Sequence, residues 1–462
     1  MNRNVADALF YVLLLITQII AAIFYGIYHD HIFDAVNDPR SLLVTGSASR
    51  YPVFQDIHIM VYVGIGFLFA FLKRYRLSAI TEVFWLAAIT VQYYFLWNAL
   101  FFGAWKTYGP HFITTTADLI KGEFCAISMV VAFGALVGKA NNIQLLISVL
   151  IGILLFCVNE QILFNSLDVR DIGGSMYIFV FGAFYGLGIS WMLNYKEAKN
   201  NRNYVTSVNS NNFGLIGTLF LWCFFPSFNS ALAATPLDAN IAVVNTYFCL
   251  IGSVLGAIFM SKILWNGKYH IEIVLNATLV GGILMGSGAD ILRESFVAYI
   301  VGGVGGIMAA FMFTYISKIW QKLGLTDVAG VYHTFAIPGI CGGLLSAIYR
   351  ARYFDRGGIQ VAGTFISMAI SLAGGLVVGI LVRWLGSYNI DDEYYNDQMT
   401  VHFDNEADYH ANPAPFFDSR NRLLFGSHVH HKIHQVDHQE RRHQPNETEQ
   451  NYLNDREVAP DL

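Results

Sequence analysis

Twelve long apolar stretches decide what this chain can become: roughly 8–28, 56–72, 80–104, 118–138, 143–165, 173–193, 213–233, 240–262, 271–290, 297–320, 331–349 and 362–385. Each is long enough to cross a hydrocarbon core about 30 Å thick as a helix. Backbone N–H and C=O groups find no water in lipid, so such a stretch must satisfy them along its own axis. The expected fold is an all-α polytopic membrane protein of about twelve transmembrane helices. Charged residues make up 13% of the chain, about half the share in a soluble domain, and they fall mostly between the stretches. The run after Asp7 ends in no clear small-x-small cleavage site, so it reads as a first spanning helix and not a signal peptide. No large soluble region is left to hold a catalytic site, and no GxSxG, HExxH or P-loop pattern occurs, so enzyme chemistry is not expected. The five cysteines stand singly inside apolar stretches, which argues against both a disulfide framework and a zinc site. No cofactor, metal or nucleic-acid partner is expected.

One motif occurs twice. DIGGSMYIFVFG at Asp171–Gly182 returns as DVAGVYHTFAIPG at Asp327–Gly339. Both copies read Asp-x-Gly/Ala-Gly-x4-Phe, pairing Asp171 with Phe179 and Asp327 with Phe335. Lys73, Arg74 and Arg76, Lys139, Lys196, Lys199 and Arg202, Lys262 and Lys268, and Lys318 and Lys322 share one side if both termini are cytoplasmic. Arg350, Arg352 and Arg356 break that pattern. With this orientation Asp171 opens its stretch from outside and Asp327 from inside. A repeat of inverted direction is a way to build a quasi-symmetric path through the bilayer centre.

Eight residues of helix rise about 12 Å, so Phe179 and Phe335 should both lie deep. The aspartates can cap the helices they precede, attract a cation to the start of a path, or do both. Glu123, Glu160, Glu272, Asp290 and His333 are further ionisable groups in spanning stretches, where such groups are costly and point to function. Glu160 either lines an outer vestibule or caps a neighbouring helix. His333 stands about 200° round a helix from Phe335 and reads as a packing histidine with its ring nitrogens satisfied. Paired glycines at Gly302–Gly303, Gly305–Gly306, Gly342–Gly343 and Gly374–Gly375 mark seams of close helix contact.

Residues 1–386 read as the membrane domain. Residues 387–462 form a polar tail without apolar periodicity, expected to be disordered and cytoplasmic. Its histidines, among them His428, His430, His431, His434, His438 and His443, suit a solvated tail, with metal binding or pH sensing as the sharper alternative. The Asn446 sequon should be unused on the cytoplasmic side. Phe416-Phe417-Asp418 is a candidate docking point for a cytoskeletal adaptor.

Several long motifs in order carry a family resemblance: YPVFQDIHIMVYVGIGFLFAFLKRY at 51–75, EFCAISMVVAFGALVGK at 123–139, DIGGSMYIFVFGAFYGL at 171–187, IGTLFLWCFFPSFNSAL at 216–232, LNATLVGGILMGSGAD at 275–290 and the second motif copy. The chain resembles the Rh glycoproteins of the Rh/Amt ammonium channel superfamily. The resemblance implies a trimer in a plasma membrane, homomeric or mixed with other Rh chains, with a narrow hydrophobic pore in each subunit. It implies that ammonium is recruited outside, loses its proton and crosses as ammonia. By position, Phe124 and Phe228 match the stacked aromatic pair at the outer mouth. Asp171 matches the aspartate beneath the vestibule, Glu160 belongs to the vestibule side, and Asp327 is the inner counterpart.

The departure from the family lies at the pore centre. Where transport-competent members carry two facing histidines, this chain has Phe179 and Phe335, and Ala336 replaces the usual glycine. An ammonium ion in an apolar channel costs at least several kcal/mol. Ammonia stripped of water loses on the order of 1–3 kcal/mol unless hydrogen bonds replace it, and phenylalanine replaces none. Carbon dioxide, weakly hydrated, would lose less. Two functions therefore stand: a channel for neutral ammonia or carbon dioxide, and a non-conducting Rh-like subunit with an assembly role.

Overall fold

The computed structural model describes residues 3–29, 50–103, 112, 114–193, 201–322, 324–354, 356–385 and 394–402. The described residues up to His402 belong to one compact unit. The histidine-rich stretch, the Asn446 sequon and Phe416-Phe417-Asp418 lie outside the described residues.

This unit is a bundle of helices: α1 (Arg3–Tyr28), α2 (Tyr51–Leu68), α3 (Leu77–Trp97), α4 (Thr116–Gly134), α5 (Asn142–Ser166), α6 (Ser175–Met192), α7 (Val208–Ser230), α8 (Pro236–Leu264), α9 (Ile271–Gly288), α10 (Ser295–Lys322), α11 (Tyr332–Phe354) and α12 (Gly357–Arg383). All but α4 are long and apolar enough to span a membrane by themselves. The exception carries Asp118, Lys121 and Glu123, and it is almost wholly buried among the other helices from Ile120 onward.

Local sequence explains where four of the helices start. Thr115 and Asp118 close a reciprocal pair of side-chain-to-backbone bonds at the start of α4, Asn141 and Gln144 do so for α5, and Ser207 and Ser210 for α7. Each pair satisfies two donors that the first turn leaves over. Thr235 caps α8, with Pro236 at its first position, where proline's missing N–H costs nothing. The starts of α6 and α11 are built differently and belong to the candidate site.

Small residues fix the closest seams. A Cβ on Gly302 of α10 would overlap the Cys249 carbonyl of α8, and one on Gly252 would overlap the Tyr299 carbonyl. The backbones of α8 and α10 therefore touch, which only glycine permits. Cys125, Cys157 and Cys249 are buried and unbridged, as packing residues; Cys341 is partly covered and Cys223 is exposed.

Residues 394–402, polar in composition, are packed against the helical unit. Asp397 accepts hydrogen bonds from Ser78 N–H at 2.8 Å, Ser78 Oγ at 2.7 Å and Arg76 N–H at 3.1 Å. It thereby caps α3, whose own sequence provides no capping side chain. Tyr394 and Tyr395 are buried beside it.

The Gly302 contact gives a sharp contrast with its neighbour. A Cβ on Gly303 would meet only the Gly252 carbonyl, at 3.7 Å. Gly302→Val should lower the yield of monodisperse protein and its melting temperature, at a cost of about 1–3 kcal/mol or more. Gly303→Ala should leave both near the native values. Size-exclusion chromatography and thermal unfolding in detergent check the pair.

Candidate functional site

The two motif copies fold alike. Gly174 and Gly330 each adopt φ of +70°, a left-handed conformation that glycine takes without strain. That turn brings the chain back under the preceding aspartate. Asp171 Oδ2 accepts the N–H groups of Met176 and Tyr177, both at 2.9 Å. Asp327 accepts Val331 N–H on Oδ1 at 2.9 Å and Tyr332 N–H on Oδ2 at 2.8 Å. Both helices then open with a π-helical turn, Ser175–Val180 in α6 and Tyr332–Ala336 in α11. Such wide turns are rare and frequently sit at functional sites.

Asp171 has a third bond, from Ser287 Oγ at 2.5 Å. Burial nevertheless pushes its carboxyl up to about 6, against the downward pull of these hydrogen bonds. Near Asp327, the ammonium of Lys139 donates to Thr326 O at 2.5 Å and Ser190 Oγ at 2.6 Å. Burial lowers Lys139 to about 7 while the Asp327 charge pulls it up.

From the paired starts, aromatic rings form a continuous column. Phe124 on α4 meets Phe228 on α7 with ring centroids 4.6 Å apart, tilted at 54° rather than stacked. Phe228 meets Phe179 at 5.8 Å. Phe179 stacks on Phe335 at 5.8 Å and 16°. All four rings are buried, and Phe225 packs against both Phe179 and Phe228. The separations fall in the favourable range for aromatic pairs.

A cavity lined in part by charged side chains lies beside each motif aspartate. On the Asp171 side it measures about 500 Å³ and is lined by Glu160, Asp171, Tyr177, Lys121, Arg170 and Asp290, among others. Both carboxylate oxygens of Glu160 accept from Tyr94 Oη, at 3.1 and 3.2 Å. On the Asp327 face a cavity of about 100 Å³ is lined by Asp327, Glu272, Asn276, Ser317 and His333.

The structure separates the other ionisable groups. Asp290 pairs with Arg170 at 2.6 Å in the larger cavity. Glu123, next to Phe124 in sequence, points elsewhere and pairs with His58 of α2 at 2.7 Å. His333 packs on Phe313 with centroids 4.6 Å apart, but among the described residues its ring nitrogens close no hydrogen bond, where the sequence reading expects satisfied ones. Tyr177, Lys121, Arg170 and Tyr94 were not singled out from sequence. Tyr177 alone carried a signal, as the sixth residue after Asp171 and so the repeat partner of His333.

The comparisons agree with this architecture. Residues 45–407 match the model of the Ammonium Transporter Family. The chain is 35% identical over 412 residues to ammonium transporter Rh type C of Oncorhynchus mykiss, covering 83% of this chain and 82% of that one. It is 38% identical over 363 residues to the Rh type C protein of Xenopus tropicalis, covering 72% and 77%. Among solved structures, Rh50 of Nitrosomonas europaea aligns with a TM-score of 0.71 and 28% identity, over 79% of this chain and 95% of that one. Mep2 of Saccharomyces cerevisiae shares the fold with a TM-score of 0.60 at 17% identity, over 76% and 91%.

Substituting Asp171 distinguishes its cap from its charge. Asparagine can still accept the two backbone N–H groups and donate to Ser287, so Asp171→Asn should fold. Asp171→Ala should lose about 1 kcal/mol at neutral pH. The folded carboxyl titrates above its ordinary 3.8, at about 6, so its contribution to stability is full below about 4 and lost as pH rises through 6. The stability of Asp171→Asn relative to the native protein should therefore rise between pH 4 and pH 7, by roughly 2–3 kcal/mol. Thermal unfolding of both proteins across that range checks the sign.

Proposed function

The chain belongs to the ammonium transporter family, and from that premise we propose that it is a membrane channel through which ammonia crosses as a neutral molecule. The observation that carries this reading is a column of four buried phenylalanine rings, with a cavity holding charged side chains beside each motif aspartate. Ammonium gathers at the vestibule of Glu160 and Asp171, gives its proton to water on that side, passes Phe124, Phe228, Phe179 and Phe335 as ammonia, and takes a proton from water on the Asp327 side. The column holds no charge or hydrogen-bond partner for an ion, whose burial would cost at least several kcal/mol. Carbon dioxide is a second permeant suited to such a path.

In this reading the Asp171 face is extracellular, both termini are cytoplasmic, and the chain works as a trimer in the plasma membrane, alone or with other Rh chains. Partial exposure of apolar side chains along α7, α8 and α10, including Phe220, Leu255 and Val304, leaves surface for lipid and for neighbouring subunits.

A second reading has one observation in its favour. The Phe179–Phe335 stack fills the place where the resemblance puts a histidine pair, and a closed stack suits a non-conducting subunit that serves assembly.

Purified protein in liposomes, with internal pH followed by stopped flow after an ammonium chloride jump, separates the two. The native protein should take up ammonia faster than empty vesicles take it up. Phe179→His with Phe335→His should raise the rate about tenfold, the equivalent of recovering one hydrogen bond. Native vesicles matching empty ones, while the double variant conducts, would overturn the channel reading in favour of the assembly subunit.

A further inference from the structure

The repeat gives His333 a counterpart. His333 and Tyr177 are each the sixth residue after the motif aspartate, and the fold uses them alike. Tyr177 lines the larger cavity and packs on Phe164 of α5 with centroids 4.9 Å apart. His333 lines the smaller cavity and packs on Phe313 of α10 at 4.6 Å.

The histidine is 2% exposed, yet neither Nδ1 nor Nε2 closes a hydrogen bond within the described residues. The Gly330 backbone lies close enough to interact with the ring, but outside hydrogen-bond geometry. A buried polar group left in this state costs about 1–3 kcal/mol. Packing against Phe313 does not account for that cost, since a phenylalanine would fill the same slot without it. The cavity before the ring has about 100 Å³, and a water takes up about 30 Å³ of liquid, so a molecule of ammonia's size fits. Glu272 lines the same cavity. Both oxygens of Asp327 are engaged by the start of α11.

We infer that the His333 ring is a binding site for ammonia and ammonium at the Asp327 end of the path, with Glu272 as the charged group of the same cavity. Neutral imidazole has one N–H donor and one bare acceptor nitrogen. The donor bonds the lone pair of ammonia as it leaves the aromatic column. The acceptor takes an N–H of ammonium, whose charge Glu272 balances. The ring does not replace a hydrogen bond at the Phe179–Phe335 stack, because it projects from a different face of α11 than Phe335. It shortens the stretch over which ammonia travels without a partner. The transport role rests on the channel reading; the binding site does not.

Two measurements keep them apart. With ¹⁵N-histidine protein in nanodiscs, ammonium chloride should shift one buried ring signal, and sodium or tetramethylammonium chloride at equal concentration should not. That signal is assigned by its loss in His333→Gln. In liposomes, His333→Leu should slow ammonia uptake about tenfold, whereas His333→Gln, which keeps a donor and an acceptor, should hold it within about twofold. A ring signal that ignores ammonium in a protein that conducts overturns the inference and leaves the channel reading standing. A signal that responds in a protein that does not conduct supports the site and sinks the channel reading. Equal uptake by the native protein and His333→Leu overturns the transport role of the ring.

Discussion

Everything in the site depends on how two helices begin inside the protein. The first N–H groups of a helix have no partner in its own ladder, and at membrane depth water does not reliably supply one. Asp171 and Asp327 supply it from the preceding turn, each holding two N–H groups. Each aspartate also lines a cavity beside the start of its helix. The same starts set the direction of Phe179 and Phe335, which meet as a stack. One capping interaction, used twice, thus places the vestibules and the ring pair together.

The cap also limits what the aspartates can do besides. With both oxygens of Asp171 bonded, to two backbone N–H groups and to Ser287, little of the carboxylate is left for a cation. Asp290 is neutralised by Arg170. Among the described residues Glu160 is hydrogen-bonded by the Tyr94 hydroxyl alone, so it is the carboxylate of that cavity with acceptor capacity to spare. Within the channel reading, recruitment falls chiefly to Glu160, and Asp171 acts through the geometry it imposes on α6.

Much of this was legible in the sequence because it is periodic or repeated. Long apolar stretches determine helices without reference to the rest of the chain, and the repeat paired Phe179 with Phe335 before any coordinates did. Partnerships between distant side chains left no such trace. Nothing near Glu123 announces His58, and nothing near Asp290 announces Arg170. Asp397 caps a helix more than 300 residues away in the chain, from a segment whose composition reads as tail. The unsatisfied ring of His333 was hidden for a related reason: position on a helix tells which way a side chain points, but not whether a partner waits there.

The inverted repeat carries a consequence for direction. At the centre the two copies contribute the same residue, Phe179 and Phe335, so the stack looks alike from either side. An identical pair gives no preference to flow in one direction. The ends differ: a cavity of about 500 Å³ with Glu160 and Tyr177 on one face, and one of about 100 Å³ with Glu272 and His333 on the other. Tyrosine offers a single hydroxyl, while histidine offers two ring nitrogens, one a donor and one an acceptor in the neutral ring. Within the channel reading, any asymmetry in how the two sides capture and release ammonium therefore arises in the two cavities, where the motif copies differ at their sixth residue, and not in the phenylalanine column.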